Sequence, residues 1–479
     1  MIINKMIRKT LLISALFACS AAYAEEGKVL DVPQEPVSFD KAPAMPSEQW
    51  PSENLPENAP QWNELVEGDG PEQQINKALL TKDWKKLADL LHQYAAQPQH
   101  DKTLYRYALG ALRREQSRHG EAVVLYRKIV AEQPDLVYPR FDLGVMLFED
   151  RQYREAERQL QKAQADLPPA MRELAGQYAQ AAKKAQGWQP VFHVNYEQTD
   201  NVNNASPVRQ VEWEGLTWHK TEDSLPKSAH GIRYALGVER TYNIVGNHFI
   251  RFGLNGSGVH YWDAQDYNEQ TVRISAGYRH QNSRQEFGIQ PYIEQNWLDD
   301  SRYVSHVGVA ADYNRRLKER WRMSQYVQFG EKRYQDKEIA ERYDSRLTAA
   351  GAALSYRISP TALVYGGISG INDDTKEREQ ASWRYGIHLG GVRQFESGIG
   401  FRANAGYMRR EFKAPAELVY RFTRRDHEYQ AGAALWHRKI SWRGLTPQLN
   451  FRYANIRSNM PAFYSRSSKE WFMSVEKAF

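Results

Sequence analysis

The 479-residue sequence predicts an α+β multidomain protein, with N-terminal tetratricopeptide-like α-helical repeats followed by a transmembrane antiparallel β-barrel of about 14 strands. Three observations predict it. A motif recurs 34 residues on within a helical stretch, the apolar period changes from 3.6 to 2 at Gly187–Gln189, and the connections between the later strands alternate between short and long.

Taken in order, residues 1–24 read as a secretory signal peptide. Lys5, Arg8 and Lys9 precede the apolar run 11–18, and Ala22-Tyr23-Ala24 offers a small-x-small cleavage site before Glu25. Cys19, the one cysteine, follows Leu16-Phe17-Ala18 in a loose lipoprotein-type motif that would instead leave an acylated protein. The site at Ala24 is the better match, and processing there leaves a mature chain without disulfide or thiolate chemistry. Residues 25–72 form a Pro-rich linker, with Pro33, Pro36, Pro43, Pro46, Pro51, Pro56 and Pro60 and little periodicity.

Residues 73–187 carry the repeats. Leu109-Gly110, Ala122, Tyr126 and Pro134 return as Leu143-Gly144, Ala156, Leu160 and Pro168, at the tetratricopeptide period. Gly and Ala let the two helices of a hairpin approach, and Pro closes the turn to the next repeat. An eroded hairpin precedes them, with Ile75, Ala88 and Ala95 in phase, and Met171–Lys184 reads as a capping helix. In this register Tyr107, Arg114, Tyr138, Phe141 and Phe148 either line a concave groove for protein docking or pack between helices.

Residues 188–479 read as the barrel. Mean hydropathy is −0.72 and 25% of residues are charged, yet barrel strands hide from a hydropathy test because half their residues are polar. No later run is long and apolar enough for a spanning helix. The connections 243–247, 281–284, 359–361 and 396–398 are short, whereas 200–229, 335–342, 371–382 and 412–428 are long, the asymmetry of outer-membrane barrels. An even strand number returns the C-terminus to the side of the repeats, the periplasm. In the final segment Trp471, Met473, Val475 and Phe479 face lipid while Ser474 and Glu476 face a polar interior. A terminal aromatic resembles the signal that hands such barrels to their assembly machinery. The first and last strands, with Phe192, Val194 and Tyr196 against Trp471, Met473, Val475 and Phe479, are the candidate seam.

Charge divides between the regions. Residues 25–187 hold 21 basic and 26 acidic side chains, net −5; residues 188–479 hold 40 and 32, net +8, with arginine supplying 30 of the 40. The arginines sit either at the lipopolysaccharide level and in periplasmic turns, or in a basic lumen that attracts an acidic substrate. Catalysis finds no support: the 13 histidines are scattered, and no H-E-x-x-H, G-x-S-x-G or P-loop spacing occurs. Asp299-Asp300 and Asp373-Asp374 fall in expected outer loops, where solvated acids are a plainer account than calcium. No enzyme activity, cofactor, metal or nucleic-acid partner is expected.

Arg424-Arg425-Asp426, Leu435-Trp436-His437-Arg438, Gly444-Leu445-Thr446-Pro447 and Arg457-Ser458-Asn459 look like late-strand signatures of the surface lipoprotein assembly modulator (Slam) family. The opening at Val191, with 197–204 behind it, is similar to that family's barrel start. The resemblance implies a barrel in the cell outer membrane that helps a lipoprotein client reach the cell surface. It implies periplasmic repeats that contact the client, or a carrier or chaperone, in a monomeric protein placed by the barrel assembly machinery among lipid and lipopolysaccharide. An exopolysaccharide export porin, which also joins helical repeats to a barrel, is the alternative, although its repeat region is usually much longer. A general porin with an appended docking module is the third reading.

Overall fold

The computed structural model describes residues 70–213, 216–415, 422–441 and 445–477. The signal peptide, Cys19, almost all of the Pro-rich linker and Phe479 lie outside them. Helices α1 (Pro71–Leu80) and α2 (Trp84–Ala95), α3 (Lys102–Glu115) and α4 (His119–Glu132), and α5 (Val137–Glu149) and α6 (Tyr153–Gln164) form three hairpins, and α7 (Pro169–Ala185) packs on the last.

Each hairpin turns in the same way. Lys82, Ser117 and Arg151 adopt left-handed φ of 55°, 56° and 64°, and the next residue's N–H reaches back five positions, from Asp83 to Ala78, Arg118 to Arg113 and Gln152 to Leu147. That is the Schellman ending of a helix, so the eroded first hairpin keeps the turn although its sequence signature has faded. The small residues act as their spacing requires. A Cβ on Gly110 would lie 2.3 Å from the Tyr126 ring, and one on Gly144 would lie 2.6 Å from Leu160 Cγ, the same contact 34 residues later. Ala122, Tyr126, Phe141, Leu147, Ala156 and Leu160 then join one buried core that runs on to Ala182.

The second region begins at β1 (Trp188–Thr199). It continues through β4 (Ala229–Val245), β5 (His248–Tyr261), β6 (Glu269–Gln281), β7 (Gln285–Leu298), β8 (Ser301–Lys318) and β9 (Trp321–Tyr334). Then come β10 (Ser345–Ser359), β11 (Ala362–Thr375), β12 (Ser382–Gln394), β13 (Ile399–Pro415), β14 (Thr423–His437), β15 (Leu445–Ser458) and β16 (Arg466–Lys477). These 14 strands pair antiparallel with their chain neighbours, and β16 returns to β1, so the sheet closes into a barrel. Closure satisfies the backbone and removes edges, which is what allows a sheet to cross lipid. Strands run from 12 to 18 residues, longer than the ten or so a bilayer needs, so they project beyond it.

The apolar period explains the faces. Along β12, Trp383, Tyr385, Ile387 and Leu389 are exposed, whereas Ser382, Arg384 and His388 between them are buried. The same outward band recurs at Leu236, Leu254, Ile274, Ile293, Ile368 and Leu435 on other strands. A continuous apolar exterior of this kind is the lipid-facing belt of a membrane barrel.

The two ends differ. One carries the turns 246–247, 282–284, 319–320 and 360–361; the other carries the connections 200–228, 335–344 and 459–465, with β2 (Gln210–Trp213) paired to β3 (Leu216–His219) and the short helices α8 (Lys337–Tyr343) and α9 (Pro461–Tyr464). One expectation changes here and one is refined. Asp299-Asp300 lies in a connection at the second end, as a two-residue turn with both φ positive at 45° and 57°, as a tight hairpin demands. Asp373-Asp374 lies within β11: Asp373 takes the Lys332 ammonium at 3.1 Å and Asp374 takes Lys413 at 2.8 Å, so ladder pairing and lysines account for both acids.

Candidate passage and docking surfaces

The helical domain is fastened to the short-turn end of the barrel by the left-handed turn between α5 and α6. Asn247 Nδ2 donates to the Asp150 carbonyl at 2.6 Å, and Ser283 Oγ meets the Asp150 carboxylate at 3.3 Å. Arg151 reaches Glu286 at 3.1 Å and Gln281 at 3.3 Å, and the Arg154 N–H donates to Asn243 Oδ1 at 3.1 Å. Tyr153 packs edge-on to the fully buried Phe249, with ring centroids 6.2 Å apart. Arg284 donates to the Gln116 carbonyl at 2.9 Å and Arg240 to the Gln186 carbonyl at 3.0 Å. These contacts involve β4 to β7, beside β1, and set the repeats under one side of the barrel mouth.

Of the five groove candidates, Phe141 and Phe148 are buried in the helical core, Phe148 edge-on to Tyr178 at 5.4 Å, so they pack between helices. Tyr138 is half-buried against the same core. Tyr107 and Arg114 are spent on their neighbours: Tyr107 donates to Asp142 Oδ2 at 2.7 Å, and Arg114 grips Glu149 through two bonds of 2.8 and 2.5 Å. Burial drives the Tyr107 phenol well above its ordinary value and raises the Asp142 carboxyl, against the bond from Tyr107. Burial also acts to raise Glu149, but His119 and Arg114 outweigh it and hold that carboxyl below its ordinary range. This face is a pair of internal polar clasps, each joining residues 35 positions apart in adjacent hairpins.

Inside the barrel, inward-facing arginines meet carboxylates. Glu197, fully buried, binds Arg233 through both oxygens and accepts from Tyr261 at 2.8 Å. Arg452 pairs with Glu470 at 2.9 Å, Arg384 Nε with Glu428 at 2.7 Å, Arg424 with Asp426 at 2.6 and 3.0 Å, and Arg273 with Glu294 at 2.9 Å. Five of the barrel's arginines, Arg233, Arg273, Arg384, Arg424 and Arg452, thus line the lumen and are each matched to an acid, while Arg284 and Arg320 sit in short turns. Buried charges are retained at such depth only when paired and hydrogen-bonded. A cleft among Thr199, Val202, Tyr261, Arg452 and Glu470 opens towards the long-loop end. There the connection after β1 folds across the mouth: Asn203 donates to the Leu225 carbonyl at 2.7 Å, and Val202 packs with Val259 and Tyr261.

The seam residues share the outer face. Phe192, Tyr196, Trp471, Met473 and Val475 are exposed, and Val194 is half-buried among them. Tyr196 faces Met473 and Asn195 faces Ser474, and these two rungs are the whole ladder between β1 and β16 among the described residues. Sequence reasoning missed the inward partners Asn195, Glu197 and Glu470 and the docking turn 150–152. Strand parity alone could have flagged the first three, because they occupy polar positions next to the lipid-facing residues already singled out.

A family model described as "Surface lipoprotein assembly modifier" matches residues 188–479, and one described as "Surface lipoprotein assembly modifier, N-terminal TPR repeats" matches residues 67–160. A surface lipoprotein assembly modifier of Pasteurella multocida is 27% identical over 422 residues, covering 84% of this chain and 81% of its own length. Surface lipoprotein assembly modifier 1 of Neisseria meningitidis is 26% identical over 488 residues, covering 96% and 95%. A hemophilin secretion modulator of Acinetobacter baumannii is 24% identical, covering 84% of each chain.

Proposed function

The chain belongs to the surface lipoprotein assembly modifier family, its barrel spans the outer membrane, and on that premise we propose that it delivers lipoproteins to the cell surface. The repeats receive the client, or the carrier or chaperone that holds it, in the periplasm, and the barrel provides the passage. The observation that carries this reading is the docking of the repeats on the short turns of β4 to β7. Bacterial outer-membrane barrels keep their short turns in the periplasm, so a client held by the repeats is presented directly beneath the barrel.

The protein acts as a monomeric conduit and not as an enzyme: it lowers the barrier to crossing by positioning and shielding, with no covalent step. Its own insertion uses the barrel assembly machinery. The exopolysaccharide reading is disfavoured by the lumen, whose charged side chains pair with one another instead of forming an unmatched track for a polymer.

Protease shaving of intact cells, with and without the gene, tests the proposal. A lipoprotein cleaved in the wild type and protected in the deletion strain supports it; equal exposure of every lipoprotein in both strains overturns it. Deleting residues 73–187 should leave an inserted, heat-modifiable barrel and abolish display.

A further inference from the structure

The join between β1 and β16 differs from every other join in the barrel. β1 makes twelve rungs with β4, from Trp188 with Arg240 to Thr199 with Ala229, and β16 makes twelve with β15, from Leu445 with Lys477 to Ile456 with Arg466. With each other these same two strands make two among the described residues. Neither strand is too irregular to pair, since each pairs along its whole length on its other side. Among the described residues the ladder stops on both sides of Asn195 and Tyr196.

Side chains hold the outer part of the join where the ladder does not. The Lys469 N–H donates to Asp200 Oδ1 at 3.2 Å, and Asn201 Nδ2 donates to the Ser467 carbonyl at 3.4 Å. Further out, Ser206 Oγ donates to the Pro461 carbonyl at 2.9 Å, and the Lys220 ammonium donates to the Ala462 carbonyl. These bonds lie at the loop end and are made by side chains, each of modest net strength. A two-rung ladder with a side-chain clasp opens far more readily than a twelve-rung one.

The join is also two-faced. Outside stand Phe192, Tyr196, Met473 and Val475; inside, Asn195 and Ser474 are 3% and 2% exposed, with Asn450 donating to Ser474 Oγ at 2.8 Å. Asn195 Oδ1 is buried and has no hydrogen-bond partner. An unmet acceptor in such a place costs free energy and is retained where another group engages it.

Resting on the delivery role proposed above, we propose that the β1–β16 join is a lateral exit for the acylated N-terminal segment of a lipoprotein. The segment behind the anchor pairs as an added strand on the opened edges, with the Asn195 carboxamide accepting from it, while the acyl chains pass between Tyr196 and Met473 into the outer leaflet. The polar lumen is a poor path for those chains, because every methylene carried past Glu197, Arg233 and Glu470 forgoes burial in lipid. The side opening spares the anchor that path.

Paired cysteines test it in the full-length chain. Tyr196→Cys with Met473→Cys locks the join; Ile387→Cys with Tyr407→Cys, facing across β12 and β13, is the control. The readout is shaving of the lipoprotein whose exposure the gene controls. Oxidation of the first pair should reduce display to the level of the deletion strain, and reductant should restore it, with the control unaffected. Full display from the locked join overturns the lateral exit and leaves the delivery role standing, whereas display independent of the gene removes both. A second arm needs no identified client: benzoylphenylalanine in place of Tyr196 or of Ile387, irradiated in cells whose lipoproteins carry radioactive palmitate. Labelled adducts at the first position and not the second support the exit. Equal labelling at both, or none at either, refutes it.

Discussion

The helical repeats hide their large apolar side chains and the barrel displays them. Leu143, Met146, Leu147 and Leu160 are almost wholly buried, while Leu236, Ile274, Ile387 and Leu389 stand outward. Polar groups are reversed in the same sense, with Glu197, Asp426, Glu470 and Ser474 buried in the barrel. One rule governs both regions: apolar surface leaves water. For the repeats the escape is their own interior, and for the barrel it is the bilayer. A chain-wide mean hydropathy of −0.72 therefore averages two opposite arrangements and describes neither.

Truncating a leucine in each region tests the contrast most strongly. Leu147→Ala, at a site with no exposure, should destabilise the helical domain by about 2–5 kcal/mol, read as lost far-ultraviolet helical signal in a melt. Leu389→Ala should cost far less, because lipid tails fill the space that the side chain leaves. Equal losses would break the comparison.

Adding a charge reverses the order. Ile387→Arg sets a guanidinium against acyl chains and should cost the barrel about 2–4 kcal/mol, read from the heat-modified band on a gel. Val124→Arg, on an exposed position of α4, should stay within about 0.5 kcal/mol of the wild type. A third pair sharpens the repeat half alone. Gly144→Ala drives a methyl to 2.6 Å from Leu160 and should cost about 1–3 kcal/mol. Gly120→Ala meets nothing within 4 Å and should gain about 0.4–1 kcal/mol from the reduced freedom of the unfolded chain.

Legibility in the sequence follows the range of the interactions. Gly110 against Tyr126 and Gly144 against Leu160 are contacts at a fixed local spacing, so the repeat could be read directly. Trp383, Tyr385, Ile387 and Leu389 were likewise readable, since strand parity assigns faces without knowledge of partners. The docking turn was not, because Asp150 meets Asn247 and Ser283 across 97 and 133 positions and no periodicity links them. The two-rung join was equally hidden. Alternation along β1 and β16 says which residues face lipid, but how many rungs form depends on how two distant strands curve past each other. The β2–β3 hairpin lay within a stretch read only as a long connection, and the pairing of inward arginines with acids needed the register of neighbouring strands.

The smallest effects should come from the two clasps on the repeats, and they run in opposite directions with pH. Glu149, held below its ordinary 4.5, contributes stability that is present above that value and is lost as pH falls through the lower folded value. Asp142, raised above its ordinary 3.8, contributes stability present below that value and lost as pH rises through the higher folded one. At pH 7, then, Glu149→Gln should lower the melting temperature of the helical signal, by an amount corresponding to about 1 kcal/mol or less. Asp142→Asn should hold or raise it, because the amide oxygen still accepts from Tyr107 and no buried charge is left. Melts repeated at lower pH should bring the Glu149→Gln curve towards the wild type as Glu149 itself protonates, and should remove any advantage of Asp142→Asn. If both variants destabilise equally at every pH, the clasps act through shape and not through charge. The repeat face would then be as indifferent to ionisation as the lipid-facing belt above it.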